Sequence, residues 1–300
     1  MPKFSPSIFF ISSLFFAVSC SSPREEEPEP KPKVVNTESN ESFSMPVLPT
    51  EMEFGDQKIK IDNFDIQERL DKELIVNTFY HSSTIQSFKR ANRFFPTIEK
   101  ILKEEGVPDD FKYLCLIESG LTQAVSPSGA KGFWQFMPAT GKEYDLRIDS
   151  EVDERLDVEK STRAACQYLK DANSKFDDWL LTSAAYNRGV GGITKDLERQ
   201  GVDDYFDLHL NNETSRYMFR ILALKLIFEN AKDYGFDKDN MSLYDPIQTR
   251  SIAVEESIDN LMSWAVENGS NYHMLKILNP WIKSDKLTFK SAPYTILLPL

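Results

Sequence analysis

Histidine and cysteine are scarce in this sequence, which contains three of each among its 300 residues. His81, His209 and His273 stand far apart and share none of the short spacings with which side chains hold a metal ion. We therefore expect neither a metal nor a cofactor. Cys115 and Cys166 both fall on apolar helical patterns, and an oxidising compartment would permit a disulfide between them, although buried free thiols are the expectation.

Basic residues are outnumbered by acidic ones. The chain has 35 lysines and arginines against 47 aspartates and glutamates, which leaves a formal charge of −12 at pH 7. Binding to the phosphates of nucleic acid requires a basic surface, so this charge argues against a nucleic-acid partner. The sequence also shows no internal repeat of the length that is typical of solenoid proteins. The hydrophobic content of 41% is that of an ordinary globular chain.

Long apolar runs are also lacking. The run from Ile8 to Val18 is too short to span a bilayer as a mature helix. With Lys3 before it and small residues after it, the run is typical of a signal peptide over residues 1–19. Ala17-Val18-Ser19-Cys20 resembles a bacterial lipobox, which implies cleavage before Cys20 and lipidation of its thiol. The alternative is an ordinary secretory peptide with an incidental cysteine.

Residues 20–55 contain little that could build a hydrophobic core. The segment is rich in proline, glutamate, serine and lysine, as in the run PREEEPEPKPK. Such a composition buries too little apolar surface to fold, and its prolines favour an extended chain. We interpret residues 20–55 as a disordered tether.

Residues 56–240 are predicted to form one mainly helical domain. Apolar residues recur at helical spacing from Asp65 onward, and glycine and proline separate several short helices. The pattern indicates that one helix ends at Phe95 and that another begins with Pro96, because proline suits a first helical turn. Residues 213–232 are predicted to form a long helix.

Glu118 occupies an unusual position in this pattern. Phe111, Leu114, Cys115 and Glu118 are spaced so that they share one face of a helix, and Gly120 then suits the end of that helix. A carboxyl group on an apolar face is poorly solvated, which raises its pKa and keeps it protonated for general-acid chemistry. The alternative is a glutamate at a helix end whose carboxyl group reaches water.

A turn-rich segment, SPSGAKGFWQFMPATG, follows from Ser126. It places Phe133, Trp134 and Phe136 beside an amide and a thioether, which suits the apolar faces and hydroxyl groups of a sugar. The same aromatic side chains could instead form hydrophobic core beneath the loop.

Four short motifs occur in sequence: Glu118-Ser119, GAKGFWQFMP at 129–138, AYNRG at 185–189, and Glu213-Thr214 followed by Tyr217. In these motifs the chain resembles the lytic transglycosylases of the Slt/MltD type, in glycoside hydrolase family 23 of the lysozyme-like superfamily. The resemblance covers roughly residues 85–235. One departure is Phe133-Trp134, where many relatives carry Leu-Met, and this leaves the finer contacts to the sugar open.

The resemblance implies a mainly α fold with a lysozyme-like helical catalytic domain. It further implies an enzyme that cleaves the β-1,4 bond between N-acetylmuramic acid and N-acetylglucosamine in peptidoglycan strands and leaves 1,6-anhydro ends. Glu118 would be the single catalytic acid and base, and Tyr186 would orient it or bind the N-acetyl group. Ser119 would hold local backbone. The implied substrate-binding residues are Ser126, Gln135, Met137, Tyr186, Asn187 and Tyr217.

Residues 241–300 show a different pattern. A short strand from Arg250 to Val254, two short helices and a closing strand from Tyr294 to Leu298 follow in the order βααβ. This small α+β segment resembles a degenerate LysM, a module that binds chains of N-acetylglucosamine. Glycan binding by this segment and a role as a structural lid on the catalytic domain both remain open.

The lipobox and the resemblance together imply a monomer in the cell envelope, anchored through Cys20 on the periplasmic face of the outer membrane. Two alternative functions stay open. One is a hydrolase of goose-type lysozyme character, in which a second acid would hold a water nucleophile. The other is a non-catalytic lipoprotein that binds peptidoglycan. No further acidic residue lies between Glu118 and Glu143, which agrees with a single catalytic carboxyl group.

Overall fold

The computed structural model describes residues 47–290 and 292–300. The predicted signal peptide (1–19), the lipidation site at Cys20 and the tether up to residue 46 lie outside the described residues. Among the residues that are described, no helix has both the length and the apolar character of a membrane span.

The described chain begins with a β-hairpin made of strands β1 (Glu51–Phe54) and β2 (Gln57–Lys60), which pair antiparallel. Gly55 and Asp56, between the strands, both have positive φ angles, as in a type I′ hairpin turn. Phe54 is fully buried. The prediction of a disordered tether over 20–55 is therefore wrong for residues 51–55, because alternate residues of β1 bury apolar side chains.

Helices dominate the region after the hairpin. They are α1 (Phe64–Phe79), α2 (His81–Glu105), α3 (Phe111–Ser119), α4 (Pro138–Glu143), α5 (Val158–Phe176), α6 (Trp179–Arg188), α7 (Val190–Gln200) and α8 (Asn212–Glu229). Helix α8 is largely buried and packs against α1, α3 and α6. It therefore forms the centre of the helical domain and lies directly beside the helix that carries Glu118.

Helix α2 corrects one prediction. It runs without interruption from residue 81 to residue 105 and contains Pro96 in its interior, where two helices were expected. Proline removes one backbone hydrogen bond and costs about 3 kcal/mol in an isolated helix. Phe88, Phe95, Ile98 and Leu102 are buried on both sides of the proline. Tertiary packing of this apolar face outweighs the local preference for a break.

The predicted βααβ segment is confirmed in order and type. Strand β3 (Thr249–Val254), helices α9 (Leu261–Glu267) and α10 (Tyr272–Leu278), and strand β4 (Tyr294–Pro299) follow one another. The two strands pair antiparallel, with Ile252 opposite Ile296. Leucine, isoleucine and tryptophan side chains from all four elements and from their connections form a second hydrophobic core. We call residues 250–300 the C-terminal module.

Candidate active site

Glu118 lies in the last turn of α3, where the chain leaves the hydrophobic core. Phe111, Leu114 and Cys115 on its helix face are fully buried, as predicted. The helix ends at Ser119, and Gly120 follows in the left-handed conformation. Glu118 itself keeps part of its surface open to solvent. The sequence therefore carries a carboxyl group to the edge of the core.

The Glu118 carboxyl group is bound and desolvated. The hydroxyl group of Tyr217, on the neighbouring helix α8, donates a hydrogen bond to Glu118 Oε1. Burial raises the pKa of Glu118, whereas the Tyr217 hydrogen bond and the positive charge of Arg220 oppose that rise. Burial and the negative charge of Glu118 in turn raise the pKa of Tyr217 well above its ordinary value. Tyr217 is therefore a neutral hydrogen-bond donor.

Two charged residues of α8 that were not predicted as site residues act on Glu118. The negative charge of Glu213, in the first turn of α8, raises the pKa of Glu118, and Arg220 lowers it. Arg220 also donates from Nη2 to the carbonyl oxygen of Ile117, over 3.3 Å. Glu213, Tyr217 and Arg220 recur at helical spacing, and this regularity was the signal in the sequence that could have identified them.

Tyr186 does not orient Glu118 in the predicted way. Its hydroxyl group donates to the carbonyl oxygen of Trp134 over 2.7 Å. Burial and the charge of Glu118 raise the pKa of Tyr186. Tyr186 therefore lies near Glu118 without bonding to it through its hydroxyl group. The hydrogen bond to Glu118 comes instead from Tyr217.

Asn187 connects the end of α6 to the start of α8. Its Oδ1 accepts a hydrogen bond from Thr214 Oγ1 over 2.8 Å, and its Nδ2 lies 3.5 Å from Glu213 Oε1. The motifs at 185–189 and 213–217 are thus joined in space, although almost thirty residues separate them in sequence.

The other three predicted substrate-binding residues belong to the loop 124–137, which we call the substrate loop. Ser126 Oγ accepts from the backbone N–H of Ala130 over 3.0 Å, so this side chain stabilises the loop. Gln135 has a positive φ angle of 49° and donates from Nε2 to the carbonyl oxygens of Ala124 and Gly132. Met137 leaves 42% of its surface exposed and is available to a ligand.

The aromatic side chains of the substrate loop are core residues. Phe133, Trp134 and Phe136 are each at most 3% exposed, so of the two alternatives that the sequence left open, hydrophobic core beneath the loop is correct. Trp134 donates from Nε1 to Thr162 Oγ1 over 2.9 Å, and this bond satisfies its polar atom. Their burial attaches the loop to the core, while Gln135 and Met137 beside them keep part of their surface exposed.

The predicted role of Ser119 is confirmed. Its hydroxyl group accepts from the backbone N–H of Leu121, and its carbonyl oxygen accepts from Thr122 Oγ1. Cys115 and Cys166 are buried free thiols. Within residues 47–290 and 292–300, no three potential ligands gather as a metal site would require.

Family models match two parts of the chain. Residues 95–208 match the model of the transglycosylase SLT domain. Residues 250–300 match the model of the soluble lytic transglycosylase C-terminal LysM-like domain. The two matches cover the helical domain around α3 and the C-terminal module, so the predicted fold class and the predicted family resemblance are confirmed.

Known proteins are similar over parts of their length. Membrane-bound lytic murein transglycosylase D of Escherichia coli K12 is 36% identical over 180 residues, which are 58% of this chain and 39% of that protein. This chain thus matches about two fifths of that relative. Two solved structures, an inactive mutant of lytic transglycosylase Slt from Pseudomonas aeruginosa and the 70 kDa soluble lytic transglycosylase from Escherichia coli, are similar with a TM-score of 0.39.

Each of these two structures shares 22% sequence identity over 50% of this chain and 26% of its own. The first matched range contains Glu118, the substrate loop and α6, and it ends before α8. Residues 95–208 therefore belong to the transglycosylase SLT domain family, and residues 250–300 belong to the C-terminal LysM-like domain family of soluble lytic transglycosylases.

Proposed function

We propose that this chain is a peptidoglycan lytic transglycosylase that cleaves the β-1,4 bond between N-acetylmuramic acid and N-acetylglucosamine. The SLT domain and the similarity to a lytic murein transglycosylase support this proposal. The observation that carries it is the Glu118 carboxyl group, which lies at the end of a buried helix with a raised pKa and a hydrogen bond from Tyr217. Binding alone would not require such an acid.

The first step uses Glu118 as a general acid. At neutral pH the raised pKa increases the fraction of the carboxyl group that holds its proton. Glu118 transfers this proton to the bridging oxygen, and the bond from C1 of the muramic acid to that oxygen breaks. The N-acetyl group of the same sugar assists the departure at C1.

The second step uses the ionised Glu118 as a general base. It removes the proton from the C6 hydroxyl group of the same muramic acid, and the C6 oxygen bonds to C1. The product is a 1,6-anhydro sugar, no water is consumed, and Glu118 ends protonated as it began. An intramolecular nucleophile is effective because well-oriented groups in one molecule reach effective concentrations of about 10⁵ M or more.

The geometry supports different roles for the surrounding residues. Tyr217 and Arg220 stabilise the ionised form of Glu118 between the two steps. Gln135 and Met137, which keep part of their surface exposed on the substrate loop, would contact the sugar, and Asn187 would hold the ends of α6 and α8 together. Ser126 acts through the conformation of its loop.

One observation favours a second candidate, a hydrolase of goose-type lysozyme character. Glu213 is near enough to Glu118 to raise its pKa, and it lies exposed in the first turn of α8. A second carboxylate in this place could hold a water molecule as the nucleophile. The products would then end in reducing sugars.

Mass spectrometry of digested, purified sacculi distinguishes the two reactions. A lytic transglycosylase releases muropeptides with 1,6-anhydro ends, whereas a hydrolase releases products that are heavier by one water molecule. We expect anhydro ends. Reducing ends in their place would refute the proposal in favour of the hydrolase, and binding of sacculi without released products would indicate a non-catalytic protein.

We expect the substitution Tyr217→Phe to lower kcat/KM about 10- to 100-fold, since a hydrogen bond to a charged group contributes about 1.5–3 kcal/mol. The hydroxyl group stabilises the ionised carboxylate, so its loss raises the pKa of Glu118 further. The acid form of Glu118 then persists to higher pH, and the alkaline limb of the pH profile shifts to higher pH. Measurement of kcat/KM against pH tests both effects.

Tyr113→Phe provides the matched control for that experiment. Tyr113 is buried in the same helix as Glu118, and its ring packs against Phe95 and Phe228. Loss of its hydroxyl group should leave the alkaline limb in place. An unchanged limb in Tyr217→Phe would contradict the role assigned to Tyr217.

The proposal extends to location and to the C-terminal module. We propose that Cys20 carries a lipid that anchors the enzyme to the outer membrane, facing the periplasm. The lipobox-like sequence and the similarity to a membrane-bound relative support this. The LysM-like family of residues 250–300 supports a contact between the module and glycan strands. Incorporation of labelled palmitate, lost in Cys20→Ala, would test the anchor.

A further inference from the structure

The C-terminal module shares its hydrophobic core with a loop of the helical domain. We call this loop, residues 147–157, the bridging loop. Its Val152 is 0% exposed and packs among core residues of the module, including Leu261, Leu287 and Ile296. Because a side chain from outside the module completes its core, the module and the bridging loop are expected to be ordered together.

Backbone hydrogen bonds reinforce this shared core. Val152 forms an antiparallel bridge with Ile282. The N–H of Asp153 donates to the carbonyl oxygen of Trp281, and the N–H of Lys283 donates to that of Glu151, each over 2.8 Å. The bridging loop therefore continues the backbone pairing of the module.

Charged groups add to the same contact. The Glu151 carboxylate accepts from the backbone N–H of Thr288 over 2.8 Å and from its hydroxyl group over 3.0 Å. Lys290 Nζ lies 3.1 Å from Asp149 Oδ2. The module thus fixes the bridging loop through apolar, backbone and ionic contacts together.

The other end of the bridging loop fixes the substrate loop. Arg155 is 3% exposed, and its guanidinium pairs with Asp153, which is 1% exposed. Arg155 Nη1 donates to the carbonyl oxygens of Gly129 and Phe136, both over 2.9 Å. The Nζ atom of Lys131, also in the substrate loop, lies 3.6 Å from Asp153 Oδ2. One buried ion pair therefore connects both arms of the substrate loop.

We infer that the C-terminal module braces the substrate loop through Asp153 and Arg155, which act as positioning residues. Asp153 is held at its backbone by the module and at its carboxylate by Arg155. A buried guanidinium is stable only while its partners are in place. Release of the module would therefore loosen Arg155, and with it the backbone from Gly129 to Phe136 that carries Gln135. This role is independent of any contact between the module and glycan.

The substitution Val152→Asp in the full chain tests the inference, since it places a charge in the module core. We expect hydrogen–deuterium exchange to accelerate in strands β3 and β4 and, at least roughly tenfold, at the amides of Lys131 and Gly132. These two amides are hydrogen-bonded within the substrate loop. The matched control is Val266→Asp, because Val266 is 67% exposed on the same module, and it should change neither region.

Each outcome bears on the inference. Faster exchange in the module with an unchanged substrate loop would overturn it, as would unchanged exchange in both regions. If Val152→Asp fails to fold, Glu151→Gln weakens the same contact more gently. Exchange in the substrate loop should then rise by a smaller factor, and an unchanged loop in that variant would also overturn the inference.

A kinetic measurement rests on the proposed function. KM should rise several-fold in Val152→Asp. The alkaline limb of the pH profile should stay in place, because Tyr217 and Arg220, which act on the pKa of Glu118, lie on α8 and not on the substrate loop. A shifted limb with an unchanged KM would contradict the inference. Lack of activity in the unmodified chain would refute the proposed function alone, since the exchange measurement does not depend on turnover.

Discussion

Replacement of Glu118 by glutamine is expected to lower turnover at least about 1,000-fold, within the range of 10²–10⁴ that general acid–base catalysis contributes. The amide can neither give a proton to the bridging oxygen nor take one from the C6 hydroxyl group, so both steps fail. Release of soluble muropeptides from purified sacculi measures the loss.

The fold of Glu118→Gln should remain intact. The raised pKa means that the folded protein disfavours the ionised carboxylate, so a neutral amide removes an unfavourable charge. Glutamine also keeps an oxygen that can accept the Tyr217 hydrogen bond. We therefore expect a melting temperature equal to or above that of the unmodified protein.

Glu198→Gln is the matched control, since Glu198 lies exposed on α7. The same chemical change at this position should leave turnover unaltered. Retained activity in Glu118→Gln would refute the assignment of the catalytic acid. A loss of activity accompanied by unfolding would refute the argument that Glu118 is dispensable for the fold.

Gly132→Ala is expected to lower the stability of the protein strongly. Gly132 has a φ angle of 79°, and an added Cβ would lie 2.9 Å from the carbonyl carbon of Arg155 and closer still to its oxygen. The left-handed conformation costs an alanine about 1–2 kcal/mol, and overpacking adds about 1–3 kcal/mol. The free energy of unfolding should fall by their sum, as chemical denaturation can measure.

Gly129→Ala separates these two causes. Gly129 also has a positive φ angle, of 90°, but an added Cβ would find open space. This variant should lose only the conformational part, about 1–2 kcal/mol. Equal losses in the two variants would show that the close approach of the substrate loop to Arg155 contributes nothing.

The helix that carries Glu118 could be predicted because its cause is local. Apolar residues at helical spacing define one face, and Gly120 ends the helix, so the position of the carboxyl group at the edge of the core followed from a few neighbouring residues. The βααβ order of the C-terminal module was predictable for the same reason. Asn260 and Asn271 cap its helices through their own side chains.

The errors arose where distant segments compete with local preference. Pro96 predicts a helix boundary, but the buried face of α2 continues through it. Residues 51–55 come directly after a segment that is too polar to fold alone. Phe54 nevertheless packs against Phe111, with ring centroids 5.3 Å apart. For Trp134 the sequence left contact with a sugar and burial in the core open, and the structure shows that it lies in the core. In each case the deciding partner is remote in sequence.

The sequence by itself determined the helical domain, the C-terminal module and the position of Glu118 at the end of an apolar helix, because these depend on periodicity and on adjacent residues. Only the tertiary structure decided that Tyr217 donates the hydrogen bond to Glu118, that Glu213 and Arg220 act on its charge, and that Arg155 links the module to the substrate loop. Those contacts join residues that lie far apart in sequence, and their geometry exists only once the helices have packed.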